Sequence, residues 1–188
     1  MKVIEAPNKY ERKPGDVCIF LAGGITNCPN WQQAVIDGIH DFYDDDFGSE
    51  EYNETIIFNP RRENFPINIE GESERQIKWE FDALEKCDIF SMYFCDANSD
   101  QPICMYELGR NICRMQERFP LDWNKRIIIT SERGYKRFKD VVIQTSLATE
   151  DILDESCIKG SIGDHIDKII DAICHAVNNP EWDLYDEI

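Results

Sequence analysis

The stretch DIFSMYFCDANSDQPICMYELGRNICRMQERF, residues 88–119, carries the pattern that decides the fold. Its apolar run at 88–94 is typical of a buried strand, and polar turn residues follow it. From residue 103 to 119, apolar side chains recur at helical spacing, with Leu108 and Ile112 on one stripe. A buried strand followed by an amphipathic helix predicts one unit of a parallel sheet, because parallel strands need a crossover connection.

The same alternation extends in both directions along the chain. Apolar runs predict further strands at 17–22, 55–60 and 126–130, and VVIQTS predicts a short fifth strand at 141–146. We therefore expect a single doubly wound α/β domain, with a five-stranded parallel sheet and helices on both faces.

Capping patterns indicate where helices begin. Ser73 with Gln76, and Ser161 with Asp164, have the spacing of a capping box. The sequence shows no repeat and no long linker, so we expect one domain at 15–180. Residues 1–14 are expected to fray as an N-terminal extension, and residues 181–188 form an acidic tail.

Charge excludes several classes of partner. The 188 residues include 20 Lys and Arg against 37 Asp and Glu, a formal net charge of −17. Such a surface repels polynucleotides and anionic membranes, although a local pocket can still hold one small anionic ligand. No apolar run approaches the roughly 20 residues of a membrane span, and the N-terminus does not resemble a secretory signal.

The eight cysteines lack C-x-x-C spacing, and the three histidines do not cluster with them in the sequence. This spacing favours reduced, mostly structural thiols over a metal site or a disulfide framework. We therefore expect a cytoplasmic protein with no metal and no organic cofactor.

The carboxyl ends of the strands are where open parallel sheets bind ligands. This rule directs attention to the segments at 22–27, 59–63, 95–107 and 130–135. Chemically competent side chains are expected in these four segments.

Glu107 stands near the start of the predicted helix at 103–119. A helix dipole stabilises a carboxylate in the first turns by about 0.3–1 kcal/mol, which predicts an ionised side chain. At the mouth of a sheet, such a carboxylate can act as a nucleophile toward an anomeric carbon. The alternative is an ordinary solvated glutamate.

Glu80 and Asp82 lie in the preceding helix, on either side of Phe81. Helical spacing places Phe81 on a buried stripe with Ile77 and Leu84. Glu80 then lies toward one edge of the helix, within reach of the strand ends. A second acid–base group and a solvated helix face both remain open as interpretations.

Other residues in or near the strand-end segments are candidates for binding a ligand. The Gly23-Gly24 turn permits close approach of a ligand, although neither a dinucleotide-binding fingerprint nor a P-loop is present. Arg61 and Arg62 are candidates for a phosphate or carboxylate clamp, or for neutralising nearby acidic residues. The candidate set is Ala22, Gly23, Gly24, Trp31, Asn59, Arg61, Arg62, Trp79 and Gln101. The two tryptophans suit either base stacking or the core.

Five motifs occur in order: FLAGGITNCPNWQ, NPRR, QIKWEFDALEKCDIFSMYF, QPICMYELGR and GYKRFKDVVIQTSLA. Together they resemble the nucleoside 2-deoxyribosyltransferase-like family over roughly residues 18–148. The resemblance implies a flavodoxin-like fold and an active site completed in a dimer or larger homo-oligomer.

The resemblance also implies roles for individual residues. Glu107 matches the glutamate that attacks C1′ of a deoxynucleoside, and Glu80 takes the place of an assisting acidic residue that is typically Asp. Gln101 occupies a position where the family tends to have a sugar-binding Asp. Either Glu80 or Asp82 is expected to aid proton transfer at the departing base.

Three functions remain open at this stage. The first is base exchange between 2′-deoxynucleosides, and the second is hydrolysis of deoxynucleoside 5′-monophosphates. The third is nucleotide binding without turnover, which the substitution at Gln101 favours. A 5′-phosphate requires a clamp, so Arg61 and Arg62 discriminate between the first two functions.

Overall fold

The computed structural model describes residues 1–46, 55–66 and 68–179, which build one all-parallel sheet flanked by helices. The strands are β1 (Lys2–Glu5), β2 (Val17–Gly23), β3 (Thr55–Asn59), β4 (Ile89–Phe94) and β5 (Ile127–Ser131). The helices are α1 (Trp31–Asp46), α2 (Glu72–Lys86), α3 (Pro102–Arg118), α4 (Trp123–Arg126), α5 (Phe138–Ala148), α6 (Glu155–Ile158) and α7 (Ile162–Val177).

The sheet order is β1-β3-β2-β4-β5. Numbered from β2, the last four strands follow the 2-1-3-4 order of a flavodoxin-like fold, which confirms the expected fold class. The direction of the crossovers reverses between β2 and β4. This gap is the topological switch point, where open α/β sheets bind their ligands.

Two apolar clusters cover the two faces of the sheet. Every residue of β4 is buried, and alternate side chains serve opposite faces, as a two-residue period requires. The stripe predicted on α3, including Leu108 and Ile112, packs in one cluster. Helices α1 and α7 close the other cluster and contact each other.

The predicted strand at 141–146 is wrong, because VVIQTS lies within helix α5. Val141 and Val142 are buried on one side of that helix. The β-branched residues that suggested a strand therefore pack a helix against the core. The fifth strand is β1, which pairs with β3 at the opposite edge of the sheet.

The N-terminal residues are therefore better ordered than predicted. Residues 2–5 belong to the sheet, and Arg12 forms a 2.9 Å salt bridge with the buried Asp88. The fraying expected for residues 1–14 does not hold there, while the boundaries at 15 and 180 stay predictions. The acidic tail at 181–188 lies outside the described residues.

Of the two predicted capping boxes, the structure forms one. Ser161 and Asp164 cap α7 reciprocally. Helix α2 instead begins at Glu72 after Gly71, so Ser73 is not its cap. The predicted face of α2 is also wrong, since Ile77 is 64% exposed, and this rotation turns Glu80 inward.

No helix among the described residues combines the length and apolarity needed to cross a bilayer.

Candidate active site

A cavity of about 220 Å³ lies at the switch point between β2 and β4. Its walls come from the end of β2 and the turn after it, from Pro60 after β3, from α2 and from the start of α3. It is lined by Phe20, Ala22, Gly23, Gly24, Ile25, Thr26, Pro60, Glu80, Ser99, Gln101, Pro102, Ile103, Cys104 and Glu107. The only charged members of this set of described residues are the two glutamates.

Volume alone does not select this site. A larger groove of about 420 Å³ runs along β5, and an open depression of about 660 Å³ lies beside Asp96 and Lys159. Neither contains Glu80 or Glu107. The smaller cavity is the one at the topological switch point.

The turn after β2 depends on glycine at residue 23. Gly23 has a φ of +152°, and a Cβ atom there would lie 2.4 Å from the carbonyl oxygen of Tyr93 and 2.5 Å from the Trp31 ring. Trp31 is buried and donates its indole N–H to the carbonyl of Gly24 at 2.9 Å. This tryptophan supports the turn from within the core and does not line the cavity.

Gln101 joins the two central strands across the switch point. Its Oε1 accepts a hydrogen bond from the backbone N–H of Gly24 at 3.2 Å. Its Nε2 donates to the backbone carbonyl of Cys95, also at 3.2 Å. Gln101 is buried and immediately precedes α3, and its backbone lies in the left-handed region with a φ of 46°. Gln101 thereby fixes the floor of the cavity while facing it.

The two glutamates come to the cavity from different helices. Glu107 lies in the second turn of α3 and Glu80 lies on α2. Burial, followed by the charge of Glu80, raises the pKa of Glu107 to about 7, with Arg110 acting in the opposite direction. Burial also raises the pKa of Glu80, and a hydrogen bond from Gln76 partly offsets it.

The sequence predicts an ionised Glu107, whereas a pKa of about 7 leaves part of the population protonated near neutral pH. The helix dipole contributes about 0.3–1 kcal/mol. Desolvation and a like charge nearby both favour the protonated form, and their combined effect on the pKa of Glu107 is larger than that of the helix dipole. A carboxyl group with a pKa near 7 can both give and take a proton near neutral pH, which suits general acid–base chemistry.

The paired arginines have internal partners. Arg61 donates Nε to Gln32 at 2.8 Å, and its Nη2 contacts four carbonyl oxygens of the turn after β2 at 2.8–3.5 Å. Arg62 forms a 2.9 Å salt bridge with Glu72. Asn59 accepts a hydrogen bond from the backbone N–H of Arg61. These contacts build the turn, and none of the three residues lines the cavity.

Asp82 and Trp79 also lie outside the cavity. Asp82 is exposed on α2. Trp79 packs against Phe20 and donates its indole N–H to the carbonyl of Asn8 at 2.6 Å. Of the predicted site residues, the structure brings together Glu107, Glu80, Gln101 and the turn at 22–24.

Sequence reasoning missed Gln76 as a site residue. Its Nε2 donates to the carboxylate of Glu80 at 2.8 Å and to the carbonyl of Pro60 at 2.7 Å. The only available signal was the four-residue spacing from Glu80, which places both side chains on one helix face. The capping interpretation of Ser73 and Gln76 obscured it.

A flavodoxin-like sheet with acidic side chains in the cavity at its switch point defines an α/β protein that binds a small molecule there. The family model described as nucleoside 2-deoxyribosyltransferase like matches residues 16–128, and the chain belongs to this family. The predicted family is confirmed, and the match includes the first four of the five motifs, while the fifth, at 134–148, lies beyond it. Membership indicates an enzyme of the glycosyltransferase or N-glycosidase kind. No curated protein matches the chain.

Proposed function

We propose that this protein cleaves the N-glycosidic bond of 2′-deoxynucleosides and transfers the deoxyribosyl group to another base through an ester on Glu107. The observation that carries the proposal is the presence of two half-buried glutamates in one cavity at the switch point. Retaining glycosyl transfer needs one carboxylate as nucleophile and a second group that serves the leaving atom.

The reaction assigns a different task to each carboxylate. Glu107 forms a bond from a carboxylate oxygen to C1′ while the bond from C1′ to the base nitrogen breaks. The electron pair of that bond stays on the base, which takes a proton from Glu80. A second base then attacks C1′, returns its proton to Glu80 and frees Glu107. Deoxyribose lacks an electron-withdrawing 2′-hydroxyl, so positive charge at C1′ costs less.

The charge of the cavity favours a nucleoside over a 5′-monophosphate. The described lining residues include two carboxylates and no cationic side chain. A phosphate would meet repulsion there, and the Arg61 and Arg62 contacts are with the protein itself. The proposed substrate contacts come from the turn at 22–24 and from Gln101. The Oε1 of Gln101 keeps a second lone pair for a sugar hydroxyl.

A second copy of this chain is proposed to cover the cavity mouth. Ile103 lines the cavity and is 65% exposed, and Tyr106 is exposed on the same helix. On α2, Ile77 and Phe81 are exposed one turn apart, and Arg110 of α3 packs 4.5 Å over the Phe81 ring. We call these four residues, Ile77, Phe81, Ile103 and Tyr106, the α2–α3 patch. A second copy covering this patch would exclude water from the cavity, and the exclusion of water favours transfer over hydrolysis.

An exchange assay tests the proposal. The protein is mixed with a 2′-deoxynucleoside and a different free base, and formation of the new nucleoside is followed by chromatography. Wild type is expected to form it, and Glu107→Gln is expected to lose activity by on the order of a thousandfold or more. Glu117→Gln is the matched control, because Glu117 is an exposed glutamate on the same helix.

Parallel reactions separate the alternatives. Formation of free deoxyribose without a new nucleoside would show that the protein is a hydrolase and not a transferase. Faster turnover of the 5′-monophosphate than of the nucleoside would show that the substrate is the nucleotide. Ligand-induced thermal stabilisation without turnover would indicate a binding protein. Equal turnover by wild type and Glu107→Gln would remove Glu107 from the mechanism.

A further inference from the structure

Gln76 is a buried amide that contacts the candidate acid–base residue directly. Its Nε2 lies 2.8 Å from Oε1 of Glu80 and 2.7 Å from the carbonyl oxygen of Pro60. Pro60 and Glu80 both line the cavity, whereas Gln76 does not. One amide group thus connects the α2 carboxylate to the end of β3.

We propose that Gln76 is a positioning residue that holds Glu80 at the cavity wall and stabilises the carboxylate left after Glu80 gives its proton to the departing base. This inference rests on the proposed function. Gln76 does not touch the substrate, and it acts only through Glu80.

The chemistry of its two partners fixes the orientation of the amide. A peptide carbonyl accepts hydrogen bonds only, and so does an ionised carboxylate. A flipped amide would set Oε1 against both acceptors, so the nitrogen must face them. Both N–H hydrogens are then used, and the Gln76 Oε1 is buried without a partner among the described residues. The two bonds restrain the Glu80 side chain in one place.

The donor acts on one carboxylate and not on the other. The N–H of Gln76 lowers the pKa of Glu80 against the effect of burial. On the other side of the cavity, Glu107 is affected by the charges of Glu80 and Arg110. The turn at 22–26 and Pro60 add no titratable side chain. The two glutamates are therefore inequivalent. The proposed reaction starts from the form of the pair in which Glu107 is ionised and the proton lies on Glu80.

The proton balance shows when Gln76 matters. When the bond between C1′ and the base breaks, the Glu80 proton moves to the base nitrogen. Glu80 becomes an anion in a half-buried place, and the Gln76 N–H donates to that anion. A hydrogen bond to a charged group is stronger than one to a neutral group, so its contribution increases as the proton leaves.

The test replaces Gln76 with methionine, which keeps the length and helix propensity but removes the donor. Carboxyl groups are followed by ¹³C NMR in glutamate-labelled protein, with Glu80→Gln identifying the Glu80 signal. In Gln76→Met, the Glu80 titration is expected to move upward by about one pH unit. In Gln76→Glu, which places a second carboxylate beside Glu80, it is expected to move in the same direction.

Gln33→Met is the matched control, because Gln33 is an exposed helical glutamine bonded to Asp37 on α1. Its Glu80 titration should equal that of wild type. The alkaline limb of kcat/KM should follow the titration in Gln76→Met, with KM changing less than kcat. An unmoved titration in both Gln76 variants, or a loss of rate with an unmoved alkaline limb, would reduce Gln76 to a structural residue. Absence of turnover in wild type would refute the proposed function instead, since the titration needs no activity.

Discussion

At Glu107, burial and a neighbouring charge decide the protonation state. The residue stands where a helix dipole favours ionisation, yet desolvation and Glu80 raise its pKa to about 7. A half-buried acid with a raised pKa lowers the stability of the fold once it ionises. Active sites commonly carry such a cost because their chemistry needs it.

The first prediction concerns stability against pH. The folded pKa of Glu107 is about 7 against an ordinary 4.5, so between these values the folded protein keeps a proton that the unfolded chain has released. Its contribution to stability is present below pH 4.5 and is lost as the pH rises through 7. Glu107→Gln should therefore raise Tm at pH 8, by on the order of 2–4 °C. This gain should fade toward pH 4.5.

Calorimetry of both proteins at several pH values measures this difference. Glu117→Gln controls for the loss of a surface carboxylate on α3. A constant Tm difference from pH 4.5 to pH 8 would show that Glu107 is not perturbed.

The residues of the site differ in how well the sequence predicted them. Glu107 was predictable from its strand-end segment and Glu80 from its place on the edge of a helix, and the family motifs pointed to both. The structure places both in one cavity. The contacts of the arginines could not be predicted, since Arg61 contacts four carbonyls of a turn and Arg62 pairs with Glu72. A sequence does not show which acceptors a long cationic side chain will meet in space.

At the scale of elements, we predict that alanine substitution at two glycines changes the stability of the protein in opposite directions. Gly23→Ala should destabilise the protein, because the new Cβ would collide with the Tyr93 carbonyl and the Trp31 ring. Gly109→Ala should be neutral or stabilise α3 by up to about 1 kcal/mol, because a Cβ there meets nothing within 4 Å. Chemical denaturation measures both, and a Gly23→Ala as stable as wild type would contradict the described turn.

Strand and helix assignments failed where local pattern and tertiary environment disagree. The run VVIQTS has strand-like composition but forms part of helix α5, with Val141 and Val142 on its buried side. The strand Lys2–Glu5 was missed because Ile4 is its one buried residue, as an edge strand permits. Helix α2 was rotated in the prediction, since the apolar Ile77 and Phe81 are exposed. Only the context supplied by the rest of the chain resolves these cases.

For the whole molecule, we predict a homo-oligomer held together by the α2–α3 patch. The net charge of −17 opposes association, so apolar contact must supply the attraction. Phe81→Glu should shift the mass measured by light scattering toward the monomer and should reduce transfer relative to hydrolysis. Leu121→Glu is the control, because Leu121 is 84% exposed outside the patch. A fully active wild-type monomer would contradict this prediction.

The most direct measurement is a search for the glycosyl-enzyme itself. The protein is mixed with a 2′-deoxynucleoside, quenched in acid within the first turnover, and digested for peptide mass spectrometry. The account predicts a deoxyribosyl adduct on the peptide that contains Glu107, absent from Glu107→Gln and retained in Glu117→Gln. An adduct on another residue, or turnover with no adduct at any quench time, would contradict the assignment of Glu107 as the nucleophile.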